Sequence, residues 1–196
     1  MVEKRILLLF ILFTNFSFGF SQEYMEKVSN WQGLPNGWYI GVEQSHNIVI
    51  DTIANRSGKY ALFIETTDAT PERSNATIWY QIPAKYQGKK IFLKASMKTG
   101  AKDQMISLML NLCDIDENGL LKTLDRSWMT NRGTIRWKNY STKKLSLTDE
   151  VKIVVIGVAL TGHGKLWADN FEILVDGKKM SIAKLIEHNI IAYHHN

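Results

Sequence analysis

Trp79 and Gln81 stand two residues apart in the stretch Ala76 to Ile82, where Ile78, Tyr80 and Ile82 alternate with Thr77, Trp79 and Gln81. In an extended chain successive side chains point to opposite faces, so the indole and the amide share the face opposite the apolar one. An aromatic plane flanked by hydrogen-bonding side chains is the equipment with which a sheet recognises sugar: the ring stacks on apolar sugar faces and the polar groups bond hydroxyls. Asn111, Ser96 and Lys98 fall on the corresponding faces of other strands, and Trp128, beside Arg126 in a long polar stretch, closes one side. The expected ligand-binding set is Trp79, Gln81, Lys98, Asn111, Arg126 and Trp128. The structural alternatives are Trp79 packed under a loop and Trp128 anchoring its own loop.

Other chemistry is poorly provided for. No Gly-x-Ser-x-Gly elbow occurs, and no Ser/His/Asp set stands out by pattern. The carboxylates lie in turns and loops, with no two placed on facing strands as a glycosidase pair requires. Cys113 at a strand end reads as a small buried hydrophobe rather than a nucleophile. Asp114-Ile115-Asp116-Glu117-Asn118-Gly119, followed by Asp125, has the oxygen spacing of a calcium loop, but Lys122 opposes a cation and no helix pattern flanks it. It reads as a hairpin turn. His194-His195 lacks a third metal ligand. The protein is expected to be a binding module and not an enzyme.

The elements that must position these residues are strands. Ile48–Thr52, Tyr60–Glu65, Ala76–Ile82, Ile91–Lys98, Met105–Cys113 and Ile135–Leu147 carry alternating patterns, and 114–134 reads as a polar loop. Val151 to Val175 reads as two strands joined by the Gly-rich turn Thr161-Gly162-His163-Gly164-Lys165, a hairpin whose apolar first strand belongs at the centre of a sandwich. Gln22 to Asn47, with Trp31, Pro35, Trp38 and Tyr39, is an irregular lead-in. Ile182, Leu185, Ile186 and Ile190 recur at helical spacing, predicting a short amphipathic C-terminal helix in 181–196. Eight or nine strands with one helix predict an all-β antiparallel β-sandwich, a jelly roll, over 22–180.

Residues 1–21 read as a signal peptide: Lys4 and Arg5, the apolar run Ile6 to Phe13, then Ser17, Gly19 and Ser21. Its removal takes out Glu3, Lys4 and Arg5 and lowers the net charge from +5 to +4, too mild to imply nucleic acid. The expected location is secreted or periplasmic, with no membrane span after processing. One cysteine allows no internal disulfide, so stability must come from a core.

Taken in order, Gln81-Ile82-Pro83-Ala84, Tyr86-Gln87-Gly88-Lys89-Lys90-Ile91, Lys98-Thr99, Trp137-Lys138-Asn139-Tyr140, Gly157-Val158-Ala159-Leu160-Thr161-Gly162 and Gly164-Lys165-Leu166-Trp167-Ala168-Asp169-Asn170 resemble the carbohydrate-binding-module-like, galactose-binding-like jelly roll. That domain precedes some exported bacterial tail-specific-type serine peptidases and esterase-like proteins. The resemblance covers roughly Leu34 to Asp176 and implies a glycan or cell-surface polysaccharide partner, or another exported protein. It places Trp137, Tyr140 and Trp167 among structural aromatics, and Met109 where relatives commonly carry an aromatic. It also implies that Asp169 either helps hold a structural calcium ion or accepts backbone hydrogen bonds from a neighbouring loop.

Overall fold

The alternation at Ala76–Ile82 is realised in full: Ala76, Ile78, Tyr80 and Ile82 are buried, and Thr77, Trp79 and Gln81 half-buried, along one nine-residue strand. The computed structural model describes residues 38–42, 46–57, 60–71, 74–84 and 89–180. Among them are β1 (Trp38–Val42), β2 (His46–Asp51), β3 (Ala61–Thr66), β4 (Asn75–Pro83), β5 (Lys90–Thr99), β6 (Met105–Ile115), β7 (Leu121–Arg132), β8 (Lys138–Ser141), β9 (Leu145–Ser146), β10 (Ile153–Thr161), β11 (Lys165–Val175) and β12 (Lys178–Met180), and no helix. No described helix is therefore long and apolar enough to cross a membrane.

The strands form two antiparallel sheets. One runs β1-β4-β10-β6-β7; the other runs β2-β3-β11-β5-β8, with β12 added to β11 and β9 to β5. The first sheet places the row Ile40, Ile78, Val158 and Leu108 on one face through direct cross-strand pairs, and the row Tyr80, Ile156 and Leu110 beside it. The second sheet supplies Ile64, Leu93, Met97 and Leu166, all fully buried. Each such side chain contributes about 1.5–3 kcal/mol when taken from water. Trp38 of β1 meets Tyr80 at 5.3 Å and Phe171 of β11 at 5.7 Å between ring centroids, joining the two sheets through the core.

Four sequence expectations are corrected. The stretch Val151 to Val175 is not a hairpin: β10 pairs with β4 and β6, whereas β11 pairs with β3 and β5 in the other sheet. The turn between them is tied to other loops instead of closing a ladder. The Gly162 N–H, in left-handed backbone (φ +75°), donates to the Ser74 carbonyl at 2.9 Å, and the Gly164 N–H donates to Thr66 Oγ1 at 2.9 Å.

The polar stretch 114–134 is a β-hairpin, because an edge strand facing solvent carries no apolar alternation. Its turn is the one expected: Asp116 Oδ1 accepts the Asn118 and Leu120 N–H groups at 2.9 and 2.8 Å, and Gly119 takes φ +80°. Part of the lead-in is β1, and Ile135–Leu147 is broken into β8 and β9. Lys178-Lys179 belongs to β12, joined to β11 through Asp176-Gly177, both at positive φ. Met1–Ser21, Trp31, the turn at Tyr86–Gly88 and the helix expected after Ser181 lie outside the described residues.

Candidate functional site

The register of the five-stranded sheet brings one residue from every strand into a single line on its outer face: Tyr39, Trp79, Gly157, Met109 and Trp128 are successive cross-strand partners on β1, β4, β10, β6 and β7. Trp79 and Trp128 are three strand spacings apart, about 14 Å. Trp79 stacks on Tyr39 with centroids 6.1 Å apart and planes 15° from parallel. It leans over Gly41, where an added Cβ would lie 2.9 Å from the indole Cζ3.

The floor between the tryptophans is Gly157 and Met109. A Cβ at Gly157 would meet the Ile78 carbonyl oxygen at 2.3 Å, Trp79 Cβ at 2.9 Å and Met109 Cε at 3.0 Å. Glycine here lets three neighbours close over one backbone position. Met109 is only 4% exposed, whereas Trp128 at the sheet edge is 48% exposed.

Two polar rows flank this apolar line. On one side Gly41, Thr77, Ala159, Ser107 and Thr130 are partners; on the other Gln81, Val155, Asn111 and Arg126. The first row is largely satisfied internally: Ser107 Oγ and Thr130 Oγ1 are bonded at 2.9 Å, and the Thr77 hydroxyl donates to the Gly41 carbonyl at 3.1 Å. In the second, Trp128 Nε1–H donates to Asn111 Oδ1 at 2.7 Å, and the Arg126 guanidinium carbon lies 5.8 Å from the Trp128 ring centroid. The line and its flanking rows together form an aromatic platform edged by amide, hydroxyl and guanidinium groups.

Five of the six expected ligand-binding residues, Trp79, Gln81, Asn111, Arg126 and Trp128, therefore share one face. Lys98 does not. It lies on β5 in the other sheet, where its ammonium sits 4.6 Å from the Trp167 ring centroid and 5.3 Å from that of Trp137. Trp167 also packs on Phe63 at 4.7 Å and donates Nε1–H to Asp51 Oδ2 at 2.8 Å.

Asp169 sits beside a bulge in β11, where Asn170 takes φ +53°. Its Oδ2 accepts the Arg56 and Ser57 N–H groups, each at 2.9 Å, and its Oδ1 the Asn170 N–H at 2.6 Å. Three N–H donors aimed at one carboxylate favour its charged form. Of the two roles the resemblance offers Asp169, the described residues display the acceptance of backbone N–H groups from a neighbouring loop, and among them no three His, Cys, Asp or Glu side chains gather. Cys113 is 2% exposed, and burial pushes its thiol up from the ordinary range, which disfavours the thiolate. Tyr39, Gly157 and Met109 were not among the expected site residues. Tyr39 follows Trp38 in alternation, but the pattern is too short to read as a strand.

No family model matches the chain. Its fold is shared with solved β-sandwiches. A family 61 module, TmCBM61 in complex with β-1,4-galactotriose, superposes with a TM-score of 0.52 at 13% identity, over 73% of this chain and 91% of that one. The xylan-binding domain of family 22 gives 0.52 at 12% identity, over 76% and 93%. The family 11 carbohydrate-binding module of Clostridium thermocellum, in complex with a β-1,3-1,4-mixed-linked tetrasaccharide, gives 0.52 at 13%, over 75% and 92%. This chain has the fold of the carbohydrate-binding-module sandwiches. In sequence, 152 residues are 25% identical to the uncharacterized HTH-type transcriptional regulator YbfP of Bacillus subtilis (strain 168); the match takes in 76% of this chain and about half, 49%, of that protein.

Proposed function

We propose that the chain is an exported, non-catalytic glycan-binding module that recognises oligosaccharide on the outer face of its five-stranded sheet. The observation that carries this reading is the cross-strand line Tyr39, Trp79, Gly157, Met109 and Trp128, with Gln81, Asn111 and Arg126 alongside. Sugar rings stack on Trp128 and Trp79, and the flanking amides and guanidinium bond the hydroxyls. The structural neighbours' oligosaccharide ligands support the reading. So does the absence of Asp and Glu from this face among the described strand residues, which leaves paired-carboxylate hydrolysis without its two groups there. Export rests on the composition of residues 1–21.

A second reading is an interaction module related to the domain preceding exported serine peptidases. Met109, buried in the middle of the line, favours it. A pull-down of the chain with insoluble polysaccharides, together with a glycan array, separates the two: reproducible glycan binding supports the first reading, and silence across the array with retention of protein partners supports the second.

A further inference from the structure

The two polar rows that flank the aromatic line are not equivalent. In the row of Thr77, Ser107 and Thr130 the hydroxyls are bonded to protein, as given above, and Arg132 at the far end of β7 donates from Nη1 to the Asp103 carbonyl at 3.5 Å. In the row of Gln81, Asn111 and Arg126, Asn111 holds Trp128, while the Gln81 amide and the Arg126 guanidinium make no hydrogen bond to protein among the described residues, the guanidinium only resting against the Trp128 ring. The ion pairs among those residues are Lys165–Glu65 and Lys179–Glu172, and neither involves Arg126. Asp125, its neighbour in sequence, is paired opposite Leu112 and so belongs to the other face of the sheet; only its contact with the Arg126 backbone N–H, at 2.8 Å, links the two. The face thus presents a cation beside its most exposed aromatic and no carboxylate among its described strand residues.

We propose that Arg126 makes this face selective for glycans carrying an anionic substituent, a hexuronate carboxylate or a sulfate ester, next to the ring stacked on Trp128. The proposal rests on the glycan-binding reading and names its substrate class. Arg126 and Trp128 are two residues apart on one strand face, about 6.8 Å along the backbone, so a stacked pyranose brings its ring substituent within reach of the long arginine side chain. The guanidinium is planar and permanently charged, and it accepts a carboxylate or sulfate through two parallel N–H donors. Contact with the indole steadies it without using those donors. A neutral hydroxyl in the same place takes up one donor and none of the charge.

The test titrates tryptophan fluorescence of the full chain with tetragalacturonate, with its carboxyl-reduced neutral form, and with a sulfate ester of that neutral form. An anionic ligand is expected to bind about three- to tenfold more tightly than the neutral one, given the worth of an exposed charge-assisted pair. Raising NaCl from about 0.05 to about 0.5 M should narrow that ratio by screening. Arg126→Gln should bring the ratio to one, and Arg126→Lys should retain part of it. The uronate and sulfate arms tell which anion is preferred. Equal binding of neutral and anionic forms by the wild type, or an unchanged ratio in Arg126→Gln, overturns the selectivity while leaving glycan binding intact. No binding of any of the three overturns the selectivity, and silence across the glycan array overturns the glycan-binding reading with it.

Discussion

Trp128 on the edge strand β7 is held by Asn111 on β6, its indole N–H donating to Asn111 Oδ1 at 2.7 Å, so the most exposed large aromatic of the sheet face has a fixed orientation. An indole free to rotate would lose that freedom on stacking against a sugar, and fixing it beforehand removes the cost. Asn111→Ala should weaken oligosaccharide binding about three- to tenfold while shifting Tm by no more than about 2 °C, since a hydrogen bond exposed to solvent contributes at most about 0.5 kcal/mol to folding. Calorimetric titration and a thermal scan of the same preparation measure both.

The two tryptophans should separate in their effect on stability. Trp79 is half-buried, stacks on Tyr39 and covers Gly41, whereas Trp128 is half exposed. Trp79→Ala should cost about 1–3 kcal/mol, lowering Tm by about 3–10 °C for a domain of this size. Trp128→Ala should leave Tm within about 2 °C, because surface substitutions seldom exceed 0.5 kcal/mol. Differential scanning calorimetry of the pair is the check, and equal losses would contradict the placement of Trp128 on an open edge.

Gly157 should tolerate no side chain. The Cβ of Gly157→Ala would lie 2.3 Å from a backbone oxygen of the paired strand, which cannot yield as a flexible side chain can. A loss of about 2–4 kcal/mol is expected from the overpacking, read as a fall in the denaturant midpoint with an unchanged m-value.

Asp51 links acidity to stability in the seven-stranded sheet. The N–H groups of Ala54 and Ile53 and the Trp167 indole hold its carboxyl below the ordinary value of 3.8, the Ala54 bond acting most strongly. A depressed folded-state pKa stabilises the fold above the unfolded value and loses that contribution as pH falls through the folded one. The stability gap between wild type and Asp51→Asn should therefore be constant from pH 7 down to about 5 and shrink below about 4. Urea midpoints across that range measure it, and a gap that widens in acid would be inconsistent with the assignment.

Strand faces were legible in the sequence; strand partners were not. Alternation at Ala76–Ile82 and Met105–Cys113 correctly put Trp79, Gln81 and Asn111 on the face opposite the core, because side-chain period in a strand is local geometry. Lys98 has the same alternation within β5, but nothing local says which sheet a strand joins, so alternation alone groups it with a face it does not share. The same gap explains the stretch Val151 to Val175: a Gly-rich turn serves equally to close a hairpin or to carry the chain between sheets, and the choice lies with β4, β6, β3 and β5 far away in sequence. β7 left no apolar trace because it is an edge strand whose side chains are mostly exposed. The chemistry of Trp128 marks it as a site candidate in the sequence, although it stands on a strand rather than in a loop.

The central claim is that the outer face of the five-stranded sheet binds glycan. Its most direct test is a titration of wild type, Trp128→Ala and Trp137→Ala with whichever oligosaccharide the array selects. Trp137, which precedes β8 and whose ring centroid lies 5.3 Å from the Lys98 ammonium of the other sheet, is the control. Loss of about tenfold or more in affinity for Trp128→Ala, with Trp137→Ala within about twofold of wild type, is the predicted result. Full binding by Trp128→Ala, or its loss in Trp137→Ala alone, would contradict the account.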